Sequence, residues 1–297
     1  MGKNTYVAVG NRLDISNIIT NISPSETPLY SAFPDTGATA TYHEWLEDVL
    51  GDPADNAQIE GFEYLAADPV PRQRFGNYTQ IFSRGYGVTK TQEVVAKHGV
   101  DSEKGYQMAK AAKQIALDVE RAIILNATKD AGTQTTARKF GGIPSWITSH
   151  VTAAAGAVVS ETLFNTALQA CWQDGGNPTR AYMSGTQKRI VSSWSGDGDK
   201  YLAQNDTKLR QAINVYESDF GVIRLYAHRL MPADSIYILD MSLWKMATLR
   251  AMKTEKLPNT GDNWKQVIVG ELTIEARAER ASAIISGLST AAPTPGP

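Results

Sequence analysis

The feature that most constrains this chain is a helical stripe through residues 101–128. Asp101 carries the type of side chain that accepts from the free amides opening a helix. Behind it, apolar residues recur at Met108, Ala109, Ala112, Ile115, Ala116, Val119, Ala122 and Ile123, the three-and-four spacing of one helix face. At 1.5 Å per residue such a helix is roughly 40 Å long, longer than most globular helices. It reads as a structural spine along which the rest of the fold is organised.

The segments around the spine do not continue its helical period. Residues 1–38 hold short apolar pieces broken by Pro24, Pro28 and Pro34, which predicts an extended arm with helical signal only near 12–22. Between Tyr42-His43-Glu44-Trp45 and the alternating run from Tyr78 lies a Gly/Pro/Asp-rich excursion, 51–71, so two long strands joined by a protruding loop are expected. A loop of that length in a compact domain needs a job. Further along, residues 161–174 form an amphipathic helix stopped by Gly175-Gly176, and strands are expected at 181–184, 222–228, 235–239, 266–276 and 281–285. A helix near 186–194 and a short helical piece at 241–244 complete the set. Strands and helices intermix without a βαβ rhythm, which predicts an α+β fold. Ser289–Pro297 is Ala/Thr/Pro/Gly-rich and is expected to be a disordered tail.

Charge is laid out unevenly. The 297 residues carry 29 basic and 31 acidic groups, a net of −2, which gives no overall attraction to nucleic acid or an anionic membrane. Within that total, residues 42–70 hold eight carboxylates (Glu44, Glu47, Asp48, Asp52, Asp55, Glu60, Glu63, Asp68) and no Lys or Arg. Residues 71–139 hold twelve basic and six acidic groups, a net of +6. Blocks of opposite sign are a docking device, within or between chains. The single cysteine, Cys171, excludes an intrachain disulfide and fits a reducing compartment. No signal peptide, myristoylation pattern or run of about 18 apolar residues is present.

Motifs that carry chemistry are missing or incomplete. His43-Glu44-Trp45-Leu46-Glu47 has Glu47 where a zinc-protease helix needs its second histidine. Asp197-Gly198-Asp199 offers two carboxylates to a cation but lacks the remaining ligands of a calcium loop. There is no phosphate-binding loop, dinucleotide fingerprint or nucleophile elbow. Cys171 lies beside Trp172 on an apolar helix face, a packing position. The six tryptophans are spread along the chain, which suits core and interface anchoring rather than a platform for stacking bases. No residue is assigned a catalytic, cofactor-binding or metal-binding role, and no cofactor is expected.

Several stretches in fixed order resemble one family. They are Ser23-Pro24-Ser25-Glu26-Thr27-Pro28-Leu29-Tyr30-Ser31, then Glu44-Trp45, Asp48, Leu50, Asn56-Ala57 and Glu60-Gly61. Asn77 to Ile81, Val88 to Gln92, Asp118-Val119-Glu120, and Ser218 to Gly221 running on to Leu239-Asp240 follow. Together, over about residues 10–288, they resemble the major capsid proteins of tailed bacteriophages. The resemblance implies a Hong Kong 97-type capsid fold, with an N-terminal arm (1–38), an extended loop (39–90), a peripheral domain (91–149 and 241–288) carrying the spine helix, and an axial domain (150–240).

It also implies a structural subunit that assembles with itself into hexamers and pentamers of an icosahedral head around double-stranded DNA, in the virion, after assembly in the host cytoplasm. A portal, a decoration protein and a separate scaffolding protein are the implied partners; Met1 stands only about ten residues before the arm, so either scaffolding is a separate protein or the arm suffices, while DNA contact is nonspecific and no membrane is involved. Some relatives cross-link subunits through a lysine on the extended loop; between Lys3 and Lys90 this chain has none, so no such cross-link is expected. The subunit-interface candidates are Ile15, Ile18, Leu29, Tyr30 and Phe33 on the arm, and Glu44, Trp45, Glu47, Asp48, Asp52, Glu60 and Glu63 on the loop. Arg72, Arg74 and Arg84 form the basic side. The alternatives are a nanocompartment shell protein of the same fold and, from another class, a metal-dependent hydrolase using Asp197 and Asp199.

Overall fold

A computed structural model describes residues 26–51, 53–63, 71–95, 99–194 and 214–291. Ile15, Ile18, Asp52, Asp197, Asp199 and the tail beyond residue 291 lie outside the described residues. In chain order the elements are β1 (Asp35–Gly37), β2 (Tyr42–Glu47), β3 (Gln73–Tyr78), β4 (Gln80–Thr89), α1 (Lys90–Val94), α2 (Glu103–Leu125), α3 (Ile143–Trp146) and β5 (Val151–Ala153). Then come α4 (Glu161–Gln173), β6 (Arg180–Met183), α5 (Gly185–Ser193), β7 (Val215–Ser218), β8 (Gly221–Ala227), β9 (Ile236–Leu239), β10 (Trp244–Lys256), β11 (Asn263–Ala276) and β12 (Ala283–Ser286). Short 3-10 turns at Met241–Leu243 and Glu279–Ala281 precede β10 and β12.

The chain divides into two compact units, with Ser83–Leu117 and Met252–Val269 in the smaller and Thr27–Phe82, Asp118–Ala251 and Gly270 onward in the larger. In the smaller unit, Lys104 Nζ sits 5.1 Å from the ring centre of Trp264, and Tyr86 donates to Gln266 at 2.6 Å. The spine helix starts here, and its cap is Ser102 rather than the expected Asp101. The Ser102 hydroxyl accepts from the Gly105 amide at 3.1 Å and donates to Glu93 at 2.7 Å, so one side chain satisfies both ends of its hydrogen-bonding capacity. The buried stripe is also displaced. Ala111, Ile115, Val119, Ala122, Ile123 and Ile124 are buried, whereas Met108, Ala109 and Ala112 face outward.

The larger unit is built on a six-stranded sheet in the order β5-β12-β9-β6-β8-β7. β6 and β9 lie at its centre and are buried on both faces, which is why Ala181-Tyr182-Met183 and Ile236-Tyr237-Ile238-Leu239 read as continuous apolar runs. On one face Ala181, Met183, Ile236, Ile238 and Ile285 pack with Phe164, Leu168 and Cys171 of α4 and Ile190 and Val191 of α5. On the other, the Tyr237 hydroxyl donates to the Ile124 carbonyl of α2 at 3.1 Å. β12, from the segment expected in the peripheral domain, completes this sheet by pairing antiparallel with β9 and parallel with β5.

A second sheet has the order β1-β10-β11-β4. Its strand β10 stands where no strand was expected. Ser289 is likewise not part of a free tail: its amide donates to Ala157 at 2.9 Å and its carbonyl accepts from Gln187 at 2.8 Å.

Candidate assembly surfaces

Two strands do pair here, but the second is not the one expected: β2 pairs antiparallel with β3 from Tyr42↔Tyr78 to Glu47↔Gln73, whereas the alternating run after Tyr78 forms β4 and joins the other sheet beside β11. The His43-to-Glu47 stretch is therefore a strand, and His43 Nε2 lies 3.5 Å from a Glu275 carboxylate oxygen rather than facing a second histidine.

The base of the hairpin is fastened at several points. Asn77 is fully buried; its amide nitrogen donates to the Gly141 and Ile274 carbonyls at 3.0 Å each, and its oxygen accepts from the Gly141 amide at 2.9 Å. A buried amide so satisfied fixes the hairpin against two other parts of the unit. Lys129 donates to the Gly76 carbonyl at 2.8 Å, and its ammonium lies 5.8 and 5.0 Å from the ring centres of Tyr42 and Trp146. Gly142 has to be glycine for the chain to return against the end of the spine, since a Cβ there would stand 2.6 Å from the carbonyls of both Ala122 and Ile123. None of Asn77, Lys129 and Gly142 was a sequence candidate. A buried asparagine and a lysine among aromatics become legible only once the strands are paired.

Several interface candidates turn out to have partners within the subunit. Trp45 is buried against Trp146, ring centres 5.0 Å apart, and its indole donates to Glu47 at 3.0 Å. Glu47 also accepts from the Ala278 amide at 3.1 Å. Arg74 pairs with Glu44 at 3.2 Å across the two strands, and Arg72 with Asp48 at 3.1 Å just beyond their end. The acidic and basic blocks thus meet partly inside one chain, because antiparallel pairing sets opposite charges side by side. Arg84 lies half-buried on β4, in the smaller unit. Glu60 and Glu63 are exposed on the loop.

The arm candidates need a firmer correction. Leu29 and Phe33 are 0% and 5% exposed, enclosed by their own subunit, and Phe33 stacks on Trp244 at 6.0 Å. Tyr30 is half-buried. The turn that contains them continues into β1, which pairs parallel with β10, so the end of the arm has a core after all. What remains outward is the apolar content of the loop. Val49 and Phe62 are exposed, and Leu50 and Ile59 are 94% and 81% exposed. These four large apolar side chains, all between β2 and β3, are exposed in their own subunit.

Buried carboxylates elsewhere are paired rather than poised for catalysis. Glu271 accepts from Thr79 at 2.6 Å, from Arg250 at 3.1 Å and from Arg138. Burial alone would raise its pKa, but the Thr79 hydroxyl and the two guanidinium groups outweigh burial and hold it below the ordinary carboxylate value. Among the described residues no three His, Cys, Asp or Glu side chains come together to hold a metal, and no helix is long and apolar enough to cross a membrane.

With this geometry in hand, similarity to known proteins can be placed on it. The major capsid protein of Escherichia phage Phieco32 is 24% identical over 337 aligned positions, spanning 95% of this chain and 95% of the phage protein. Among solved structures, the capsid asymmetric unit of cyanophage A-1(L) superposes with a TM-score of 0.65 at 12% identity, covering 96% of this chain and 98% of that one. The SrpI encapsulin of Synechococcus elongatus superposes with a TM-score of 0.62 at 8% identity over 97% and 96% of the two chains. Fold alone therefore unites viral heads and encapsulin shells. The sequence pattern of the SU10 major capsid proteins decides between them, for it matches residues 2–289, and the chain belongs to the SU10 major capsid protein family.

Proposed function

We propose that this chain is the repeating subunit of a tailed-phage head, closing with its copies into hexamers and pentamers around double-stranded DNA. The observation that carries the reading is the family match over residues 2–289, on a chain whose hairpin is held by Asn77 and Lys129 and carries exposed apolar side chains between its strands. A hairpin fastened by Asn77 and Lys129 leaves its subunit in a set direction, which lowers the ordering cost of contact with another copy. Val49, Leu50, Ile59 and Phe62 are exposed among the described residues and suit burial on a second copy. The role is structural, with no catalytic step. It places the protein in the virion, with assembly in the host cytoplasm and a scaffold, a portal and a decoration protein as partners.

Within the subunit we assign 39–90 to the extended loop, 150–240 to the axial domain and the spine with the returning segment to the peripheral domain. Five of the six strands of the larger sheet come from 150–240, which supports the axial assignment; β12 joins it from the returning segment. The encapsulin fold match keeps a nanocompartment shell as the second reading. Negative-stain microscopy of the expressed protein, alone and with the products of neighbouring genes, tests the proposal. Closed shells or hexameric sheets that fill with DNA in the presence of a portal support the head; a compact monomer under all conditions refutes it. Shells that recruit an enzyme through a recurrent peptide favour the nanocompartment.

A further inference from the structure

We propose that Glu120 and His228 form a latch that holds the strap Thr27–Phe33 by its backbone. The strap is a tight turn in which Ser31 donates to the Thr27 carbonyl at 3.0 Å and Phe33 to the Leu29 carbonyl at 3.1 Å. Pro28 has no amide hydrogen, which leaves the amides of Leu29 and Tyr30 to find acceptors. Leu29 is fully buried, so water cannot serve. Both amides end on one carboxylate: Leu29 on Glu120 Oε1 at 2.9 Å and Tyr30 on Oε2 at 2.7 Å. Glu120 projects from the spine helix and is itself completely buried.

His228, at the end of β8, completes the site. Its Nδ1 accepts from the Leu230 amide at 3.0 Å, which assigns the ring hydrogen to Nε2, and Nε2 lies 2.7 Å from Glu120 Oε1. Two oxygens thus receive three N–H groups, an arrangement a carboxylate satisfies and an amide does not. Two properties make this a latch rather than ordinary core. It grips main-chain groups, so one side chain controls two strap amides at once. And when the strap lifts, His228 stays on Glu120, so the open seat is not left with an unpartnered buried carboxylate. The consequence for assembly, that a seated strap gives every subunit the same surface at Thr27–Phe33, rests on the capsid reading; the latch does not.

Hydrogen exchange on the unassembled full-length subunit tests it, comparing wild type with Glu120→Gln. The expected result is exchange at Leu29 and Tyr30 faster by at least about tenfold, the ratio that losing a buried hydrogen bond carries. Protection in the later turns of α2 and in β6 and β9 should change much less. Unchanged strap exchange, or an even loss across the larger unit, overturns the latch. If Glu120→Gln gives no soluble subunit, His228→Gln, which retains a donor, is compared with His228→Leu; equal strap exchange in the two variants overturns it as well. Shell formation is scored separately. A loosened strap with shells formed at the wild-type rate removes the assembly consequence, and wild-type protein that never assembles counts against the capsid reading alone.

Discussion

Replacing Leu29 by alanine separates two roles that the sequence alone leaves interchangeable, a clamp on another copy and a piece of the subunit's own core. The side chain is fully enclosed in the isolated chain, so its truncation should register before any assembly takes place. Leu→Ala at closed sites costs about 3–5 kcal/mol, from lost transfer free energy and the cavity left behind. The backbone bond from Leu29 to Glu120 survives the change, which argues for the lower half of that range. For a domain of roughly 150–250 residues each kcal/mol lowers Tm by about 2–4 °C, so a fall on the order of 10 °C is expected. Thermal unfolding of the unassembled subunit, followed by far-UV circular dichroism, reads this directly. Tyr30→Ala is the internal comparison, because that half-buried side chain should lower Tm by clearly less. A Leu29→Ala subunit that melts with wild type but makes no shells would refute the core assignment and restore the clamp.

Two further outcomes follow from buried titratable groups. Burial, reinforced by nearby Asp174, pushes the Cys171 thiol up to about 12, so a thiol reagent at neutral pH should label no cysteine in the folded chain and one per chain in denaturant; prompt labelling of native protein would contradict the packed α4 face. Because Glu271 titrates below its unfolded value of about 4.3, the stability it supplies is complete above that value and fades as pH falls through the lower folded one. The stability gap between wild type and Glu271→Gln should therefore narrow on acidification, and parallel curves from neutral to acid pH would argue against the Arg138–Glu271–Arg250 cluster.

Local pattern located most elements, and tertiary context decided the rest. The spine, β2 and the α4 helix were legible because each repeats its period over enough residues to stand out, while the partner of β2 lay before Tyr78 rather than after it. β10 was not. Trp244–Lys256 is rich in Ala, Met, Leu, Lys and Glu, residues with no preference for strand, and becomes one only by lying between β1 and β11. The displaced stripe on α2 has a related origin: alanine is apolar enough to count toward a face yet small enough to be left outside, as Ala109 and Ala112 are. Candidate interface residues fared by type. Exposed loop carboxylates such as Glu60 stayed exposed, while Leu29, Phe33 and Trp45 went inside, since large apolar groups near any core are drawn into it. Glu120 belonged to a stretch that carries the family resemblance but gave no sign of this role, because its partners are main-chain amides that no residue type announces.

The charge layout takes on a different meaning once the hairpin is seen. Glu44 and Asp48 pair with Arg74 and Arg72 of the returning segment, and Glu47 is engaged with Ala278, so these three carboxylates of the acidic block already have partners in their own chain. Exposed ion pairs are worth about 0–1 kcal/mol each, and forming them again with another copy would first require breaking these. Burying one large apolar side chain yields about 1.5–3 kcal/mol with nothing to give up. On the head reading proposed above, Val49, Leu50, Ile59 and Phe62 would therefore be the stronger source of adhesion on the hairpin, with the charges flanking them pairing its own two segments. Exposed apolar groups on a hairpin with a buried root suit a reversible lattice: contacts weak enough singly for a misplaced subunit to leave, and aimed well enough that copies close into the same geometry.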